Sequence, residues 1–384
     1  MAAIAKKTIR KGSRIRVLVV DDSVVIRRLV THALEEEPSI EVVGSAANGS
    51  IGLAKIPQLN PDVITLDIEM AEMDGLEMLR NLRQTYPAKD VRVIMFSTLT
   101  ERGASATIDA LWLGADDYVS KASNEGSLDR SMASLRRELI PKIKQFFAFE
   151  DEQQHSAPAA PASVPKPPVA IAQAVGNPIH PGADIVVIGV STGGPNALAT
   201  IMPQFPADFP LPILIVQHMP PVFTRLLAER LQTTTKLKVV EAENGAVVEP
   251  GKVLIAPGNY HMRVRKASLR ATVTLDQEPP ENSCRPAVDV LFRSVEEAYG
   301  SAVISVILTG MGYDGLRGME VLKAHGAYVI AQDEATSVVW GMPGAVVGAG
   351  LADAVLPLHE IVPEIIRGTR RNVPCLVAGD SRRY

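Results

Sequence analysis

The sequence predicts an α/β protein of two doubly wound, mostly parallel-sheet domains. Short apolar strand-like runs alternate with segments of helical periodicity along most of the chain. At 384 residues the chain exceeds one typical hydrophobic core. A Pro- and Ala-rich stretch with seven prolines, after Phe149, divides it into two pieces of domain size. The expected organisation is a basic tail over 1–13, a first domain over 14–147, a linker over 148–182, a second domain over 183–372 and a C-terminal tail over 373–384.

Composition narrows the function classes. Hydrophobic residues make up 46% and charged residues 21%, as in a soluble globular protein. The net charge of −4 argues against a nucleic-acid binder. No apolar run reaches the roughly 20 residues that span a bilayer. The start, "MAAIAKKTIRKGSRIR", lacks the apolar core of a signal peptide and reads as a frayed tail. Two distant cysteines, Cys284 and Cys375, suggest reduced thiols in a cytoplasmic protein.

In the first domain "RIRVLVV" predicts a buried strand and "SVVIRRLVTHALEEE" an amphipathic helix. "IEVVGSA", "DVITLDI", "RVIMFST" and "DYVS" predict four more strands, and "LEMLRNLRQTYP" a helix closed by Pro87. Sites in such sheets lie beyond the carboxyl ends of the strands. That rule gathers Asp21 and Asp22 after the first strand, Asp67 after the third, Ser97 and Thr98 after the fourth, and Lys121 after the fifth. Three carboxylates on one rim call for a cation, and an oxygen-only donor set suits Mg²⁺.

"VLVVDDS", "DVITLDIEMAEMDGLEML", "IMFST" and "GADDYVSK" together resemble a two-component receiver domain of flavodoxin-like topology. The resemblance implies Asp67 as phosphoacceptor and Mg²⁺ held by Asp21, Asp22, Asp67 and the Glu69 backbone carbonyl. It implies Ser97 and Lys121 as phosphoryl sensors, and a histidine kinase as phosphodonor. Ala122 stands where receivers usually carry proline after the lysine.

In the second domain "IVVIGVS", "PILIVQHM", "KLKVV", "KVLIAPG", "SAVISVILTGM" and "AYVIAQ" predict strands. "PNALATIMPQF", "PVFTRLLAERLQ", "VDVLFRSVEEAYG" and "GLRGMEVLKAHG" predict helices, and "HMRVRKASLRATVTLDQ" an antiparallel hairpin. The stretch "IVVIGVSTGGPNAL" lacks the third glycine of a dinucleotide fingerprint and the lysine of a P-loop. It fits G-x-S-x-G, read either as a sharp strand–turn–helix that presents Ser191 as a nucleophile or as an ordinary loop in which Ser191 caps the helix, and the rest of the chain decides between them. A serine nucleophile needs a base and a group that orients the base. The strand-end rule nominates His218 and Asp314, and the glycines at 310, 312 and 315 suggest close backbone approach, with the Met311 N–H as an oxyanion donor. His261 also follows a strand and competes as a pocket residue. His32, His325 and His359 fall on helices or surface segments, and His155 and His180 in the linker. The order Ser…His…Asp excludes the α/β-hydrolase arrangement.

"GVSTGGP", "VQHMP", "APGNYHM", "RPAVDVLF" and "LTGMGYDG" are similar, in order, to the chemotaxis protein-glutamate methylesterases called CheB, across both domains. That resemblance implies hydrolysis of glutamate methyl esters and deamidation of glutamine on methyl-accepting chemoreceptors. Ser191, His218 and Asp314 would be the triad, Thr192 and Met311 would shape the oxyanion site, and the esterase would need no cofactor. The competing expectation is a phosphorylation-dependent binding module whose second domain does not catalyse.

Overall fold

A computed structural model describes residues 7–87, 90–98, 100–121, 128–150, 182–268 and 270–369. Ala122, most of the expected linker and the expected C-terminal tail lie outside the described residues.

The first domain runs β2 (Ile15–Val20), α1 (Val24–Glu35), β3 (Ile40–Ala46), α2 (Gly49–Leu59), β4 (Val63–Asp67), α3 (Gly75–Thr85), β5 (Arg92–Ser97), α4 (Glu101–Trp112), β6 (Asp117–Ser120) and α5 (Leu128–Lys144), after a short β1 (Lys7–Ile9). The sheet is parallel in the order β3-β2-β4-β5-β6. β2, β4 and β5 are apolar and almost wholly buried because helices cover both faces. Local chemistry sets the helix starts: Ser23, Asn48, Asp74 and Thr100 each accept a backbone N–H in the first turn. Strand order reverses between β2 and β4, so the site rim forms above that pair.

One expectation changes here. Residues 7–9 were expected within a frayed tail, but β1 pairs in parallel with β7 (Phe147–Phe149). Ile9 and Phe147 are buried there.

The second domain contains β8 (Ile185–Val190), α6 (Gly194–Ile201), β9 (Ile213–Gln217), α7 (Phe223–Gln232), β10 (Lys238–Glu241), β11 (Lys252–Ile255), β12 (His261–Ala267), β13 (Arg270–Asp276), α8 (Val288–Tyr299), β14 (Val303–Ile307), α9 (Leu316–Ala324), β15 (Tyr328–Gln332), α10 (Met342–Gly348), β16 (Ala354–Leu356) and α11 (Ile361–Thr369). Its seven-stranded parallel sheet runs β10-β11-β9-β8-β14-β15-β16. The hairpin is present as antiparallel β12–β13. β16 adds an edge strand that the sequence pattern did not signal. β8 is flanked by β9 and β14, so the ends of three adjacent strands meet at the second switch point.

Candidate active site and phosphoacceptor site

Ser191 follows β8 directly. The two glycines of its motif have different causes. A Cβ on Gly189 would come within 2.4 Å of Val288 Cγ1, so glycine lets α8 pack on the strand. Gly193 has φ +77° and caps α6, a left-handed conformation that glycine adopts at little cost. The turn is fixed by bonds from Ser191 N to Thr309 O (3.0 Å) and from Gly194 N to Ser191 O (2.8 Å). Gln217 Nε2 also donates to Ser191 O (3.0 Å).

His218 follows β9, and its N–H donates to Val190 O. Its Nε2 lies 2.7 Å from Asp314 Oδ2. Asp314 is buried and accepts from Val288 N, Asp289 N, Gly315 N and Asn282 Nδ2 besides His218. Burial opposes ionisation of Asp314. The hydrogen bond from His218 and the backbone donors outweigh it and hold the carboxyl below its ordinary value. Burial likewise opposes a charged His218, but the hydrogen bonds to Asp314 and Cys284 push the imidazole up to about 10.

Ser191, Thr192, His218 and Met311 line one cavity of about 340 Å³. The Ser191 and His218 side chains share no hydrogen bond in this arrangement; such bonds commonly tighten only on substrate binding. Met311 is exposed. His261, the competing histidine, is corrected by its surroundings. It is buried, accepts from Ala287 N at Nδ1 and donates to Pro279 O from Nε2, so it braces the loop before α8.

Sequence reasoning missed Asn282 and the placement of Cys284. Asn282, at φ +52°, donates to both Asp314 Oδ1 (2.8 Å) and Asp289 Oδ2 (2.9 Å), bridging two buried carboxylates. Cys284 Sγ lies 3.6 Å from His218 Nδ1. A turn that closes this tightly onto a distant strand end leaves little trace in local spacing.

The first domain also walls the cavity, through Leu111, Asp116, Asp117, Tyr118 and Lys142. Thr192 Oγ1 donates to Asp117 Oδ2 (3.3 Å), and Asn196 Nδ2 to Ala115 O (3.3 Å). The Tyr118 and Phe223 rings stack at 4.9 Å with 9° between planes. Arg225 pairs with Glu101 at 2.6 Å and Arg230 with Asp109 at 3.5 Å.

On the first domain's rim, ligand-type oxygens of Asp21, Asp22 and Asp67 lie within 4.8 Å of one another. Lys121 Nζ reaches Asp67 Oδ1 (2.7 Å) and Asp21 Oδ2 (3.1 Å). That Asp21 oxygen is buried and has no hydrogen-bond partner beyond the ion pair, so the donor set fits a hard divalent cation. Burial pushes Asp67 up to about 6; the Lys121 hydrogen bond opposes this and the Asp21 charge adds to it. The Glu69 backbone N–H serves the Asp67 carboxylate, while its side chain is exposed near Arg102. Ser97 is buried and its hydroxyl is engaged elsewhere: it accepts from Thr107 Oγ1 (2.5 Å) and lies 3.1 Å from the Thr98 and Gly103 carbonyls.

Residues 186–365 match the family described as CheB methylesterase, and residues 17–133 match the response regulator receiver domain. A Trichodesmium erythraeum protein named protein-glutamate methylesterase/protein-glutamine glutaminase is 51% identical over 354 residues, covering 92% of this chain and 99% of that protein. A Nocardioides protein of the same name is 52% identical over 365 residues, covering 94% and 98%. The crystal structure of the Thermotoga maritima CheB methylesterase catalytic domain is 48% identical, with a TM-score of 0.47 over 48% of this chain and 98% of that one.

Proposed function

This chain belongs to the CheB family of receiver-linked methylesterases, and we propose that it hydrolyses glutamate methyl esters, and deamidates glutamine, on methyl-accepting chemoreceptors. The observation that carries the reading is the 2.7 Å His218–Asp314 pair, with His218 and Ser191 lining one cavity. Asp314 engages Nε2, which leaves Nδ1 as the basic nitrogen. Nδ1 takes the Ser191 proton as the hydroxyl oxygen attacks the ester carbonyl. N–H groups of Thr192 and Met311 receive the oxyanion. Collapse expels methanol, protonated from Nδ1, and leaves an acyl-Ser191. Water, deprotonated by the same nitrogen, then releases the carboxylate. Glutamine follows the same course with ammonia as leaving group. The competing reading, a binding module without catalysis, gains nothing from a buried, fully bonded Asp314 aimed at a histidine.

Asp67 is the proposed phosphoacceptor, with a histidine kinase as donor. Asp21, Asp22, Asp67 and the Glu69 carbonyl would hold Mg²⁺, which when bound neutralises charge on the incoming phosphoryl group. Lys121 and Ser97 would sense the product. We assign the receiver to 14–147 and the esterase to 183–372, joined by the linker and acting in the cytoplasm. No helix among the described residues is long and apolar enough to cross a membrane. The first-domain wall of the cavity supports an inhibitory receiver that covers Ser191 until phosphorylation loosens it.

The deciding experiment is methanol release from methylated receptor by Ser191→Ala. Loss of the nucleophile should cut turnover by on the order of 10⁴-fold or more in a folded protein. Wild-type-like turnover would overturn the nucleophile assignment.

A further inference from the structure

The catalytic cavity carries a thiol, Cys284, that ester hydrolysis does not use. We infer that Cys284 Sγ and His218 Nδ1 form a binding site for a borderline-soft divalent cation of the Zn²⁺ class. The two atoms come from separate segments and lie 3.6 Å apart. A tetrahedral zinc with Zn–S of about 2.3 Å and Zn–N of about 2.0–2.1 Å sets its sulfur and nitrogen ligands about 3.6 Å apart. The pair therefore stands at the bite of such a site.

Three further features support it. Asp314 holds the opposite ring nitrogen, Nε2, at 2.7 Å, the carboxylate–histidine–metal arrangement that orients a ligating imidazole. The thiol is preorganised: Glu281 and Cys284 exchange backbone bonds of 3.1 and 2.8 Å, and Arg293 grips the Glu281 carboxylate with two bonds of 2.8 and 2.6 Å. The cavity volume of about 340 Å³ leaves room for water to complete the coordination. Asp314 already accepts five hydrogen bonds and serves as the outer partner, not as a direct ligand. One nitrogen and one sulfur donor select zinc-like ions over Mg²⁺. On binding, the thiol proton, and any proton on Nδ1, leave to solvent as Zn–S and Zn–N bonds form.

The consequence for activity rests on the reading of His218 as the base. A cation on Nδ1 removes the lone pair that Ser191 needs, so the ion inhibits the esterase. The ion would also shield the thiol from electrophiles.

The test uses the full chain, stripped with chelator and kept in excess Mg²⁺, in a Cys375→Ala background so that Cys284 is the one remaining thiol. Co²⁺ is the probe. One equivalent should produce a near-ultraviolet thiolate-to-cobalt absorption that Zn²⁺ displaces, and the further change Cys284→Ser should abolish it. The receiver's oxygen-only acidic site cannot generate that absorption. In zinc-buffered methanol-release assays, each variant is compared with its own zinc-free rate. The free Zn²⁺ that halves activity should rise at least about tenfold in Cys284→Ser. Absence of the absorption in the Cys375→Ala protein, its persistence after Cys284→Ser, or equal zinc sensitivity of the two proteins would overturn the site. Absorption without inhibition would uphold the site and overturn His218 as the base.

Discussion

Substituting Asp117→Ala and Tyr118→Leu together should raise esterase turnover in the absence of any phosphodonor. Both changes lie in the receiver and leave every esterase residue intact. Asp117 accepts the Thr192 hydroxyl, a bond to a charged group worth about 1.5–3 kcal/mol. Its 3.3 Å length and half-buried donor place it at the lower end. Tyr118 stacks on Phe223, and such pairs contribute about 0.5–1.5 kcal/mol beyond their burial. Together the changes cost the closed arrangement about 2.5 kcal/mol, roughly a 60-fold shift toward the open one at about 1.4 kcal/mol per tenfold. Turnover should rise by up to that factor, limited by the rate of the fully open enzyme. Residues 148–384 alone give that ceiling. The assay is methanol release from methylated receptor, with urea unfolding run in parallel to establish that the variant is folded. A folded double variant whose basal rate stays within twofold of the unsubstituted protein would refute a receiver that inhibits by covering Ser191. The receiver would then act by delivering the enzyme to its substrate.

In chelated buffer, kcat/KM should climb with pH and level off well above the ordinary imidazole range of about 6.5. The Asp314 and Cys284 hydrogen bonds raise the His218 pKa, so the neutral base is scarce at neutral pH and increases as pH rises; a plateau already reached at pH 7 would contradict this. Asp67→Asn should abolish phosphate incorporation from small phosphodonors and leave basal esterase activity low, and labelling at normal stoichiometry would move the acceptor elsewhere. Asn282→Ala should lower kcat on the order of 10²-fold with little change in KM, since it loosens the carboxylate that orients His218 rather than a substrate contact; an unchanged kcat would show that the four remaining ties suffice.

Much of this site could be seen in the sequence because strand ends are cheap to predict and doubly wound sheets put chemistry there. Asp21, Asp67 and Lys121 converge as the strand-end rule requires. Ser191, His218 and Asp314 meet because β9, β8 and β14 are neighbours. What escaped depends on contacts distant in sequence. β1 and β7 are three residues each and pair with one another across the whole first domain, with Ile9 and Phe147 packed into its core. Asn282 reaches Asp314 through a left-handed turn, and no local pattern announces where that turn closes. His261 shows the limit of the rule itself: it opens β12 instead of ending a strand, and its ring is spent on Ala287 and Pro279.

The two proposed sensors, Lys121 and Ser97, would reach the esterase differently. Lys121 already pairs with Asp67 and Asp21, so a phosphoryl group on the proposed acceptor would strengthen an existing contact there. It lies just past β6, the strand that carries Asp117 and Tyr118 to Thr192 and Phe223. Ser97 is different, because its hydroxyl is engaged with Thr107 and the Gly103 carbonyl of α4. To donate to a phosphoryl oxygen it must release those partners, and the lost bonds fall on the helix whose Glu101 and Asp109 meet Arg225 and Arg230. A strengthened contact can only tighten the receiver's own rim, whereas a competed hydroxyl frees a helix that faces the partner domain. Loosening of the interface is therefore better served by Ser97 and α4 than by Lys121. The double variant at Asp117 and Tyr118 bypasses that helix and acts on the end of the β6 route directly.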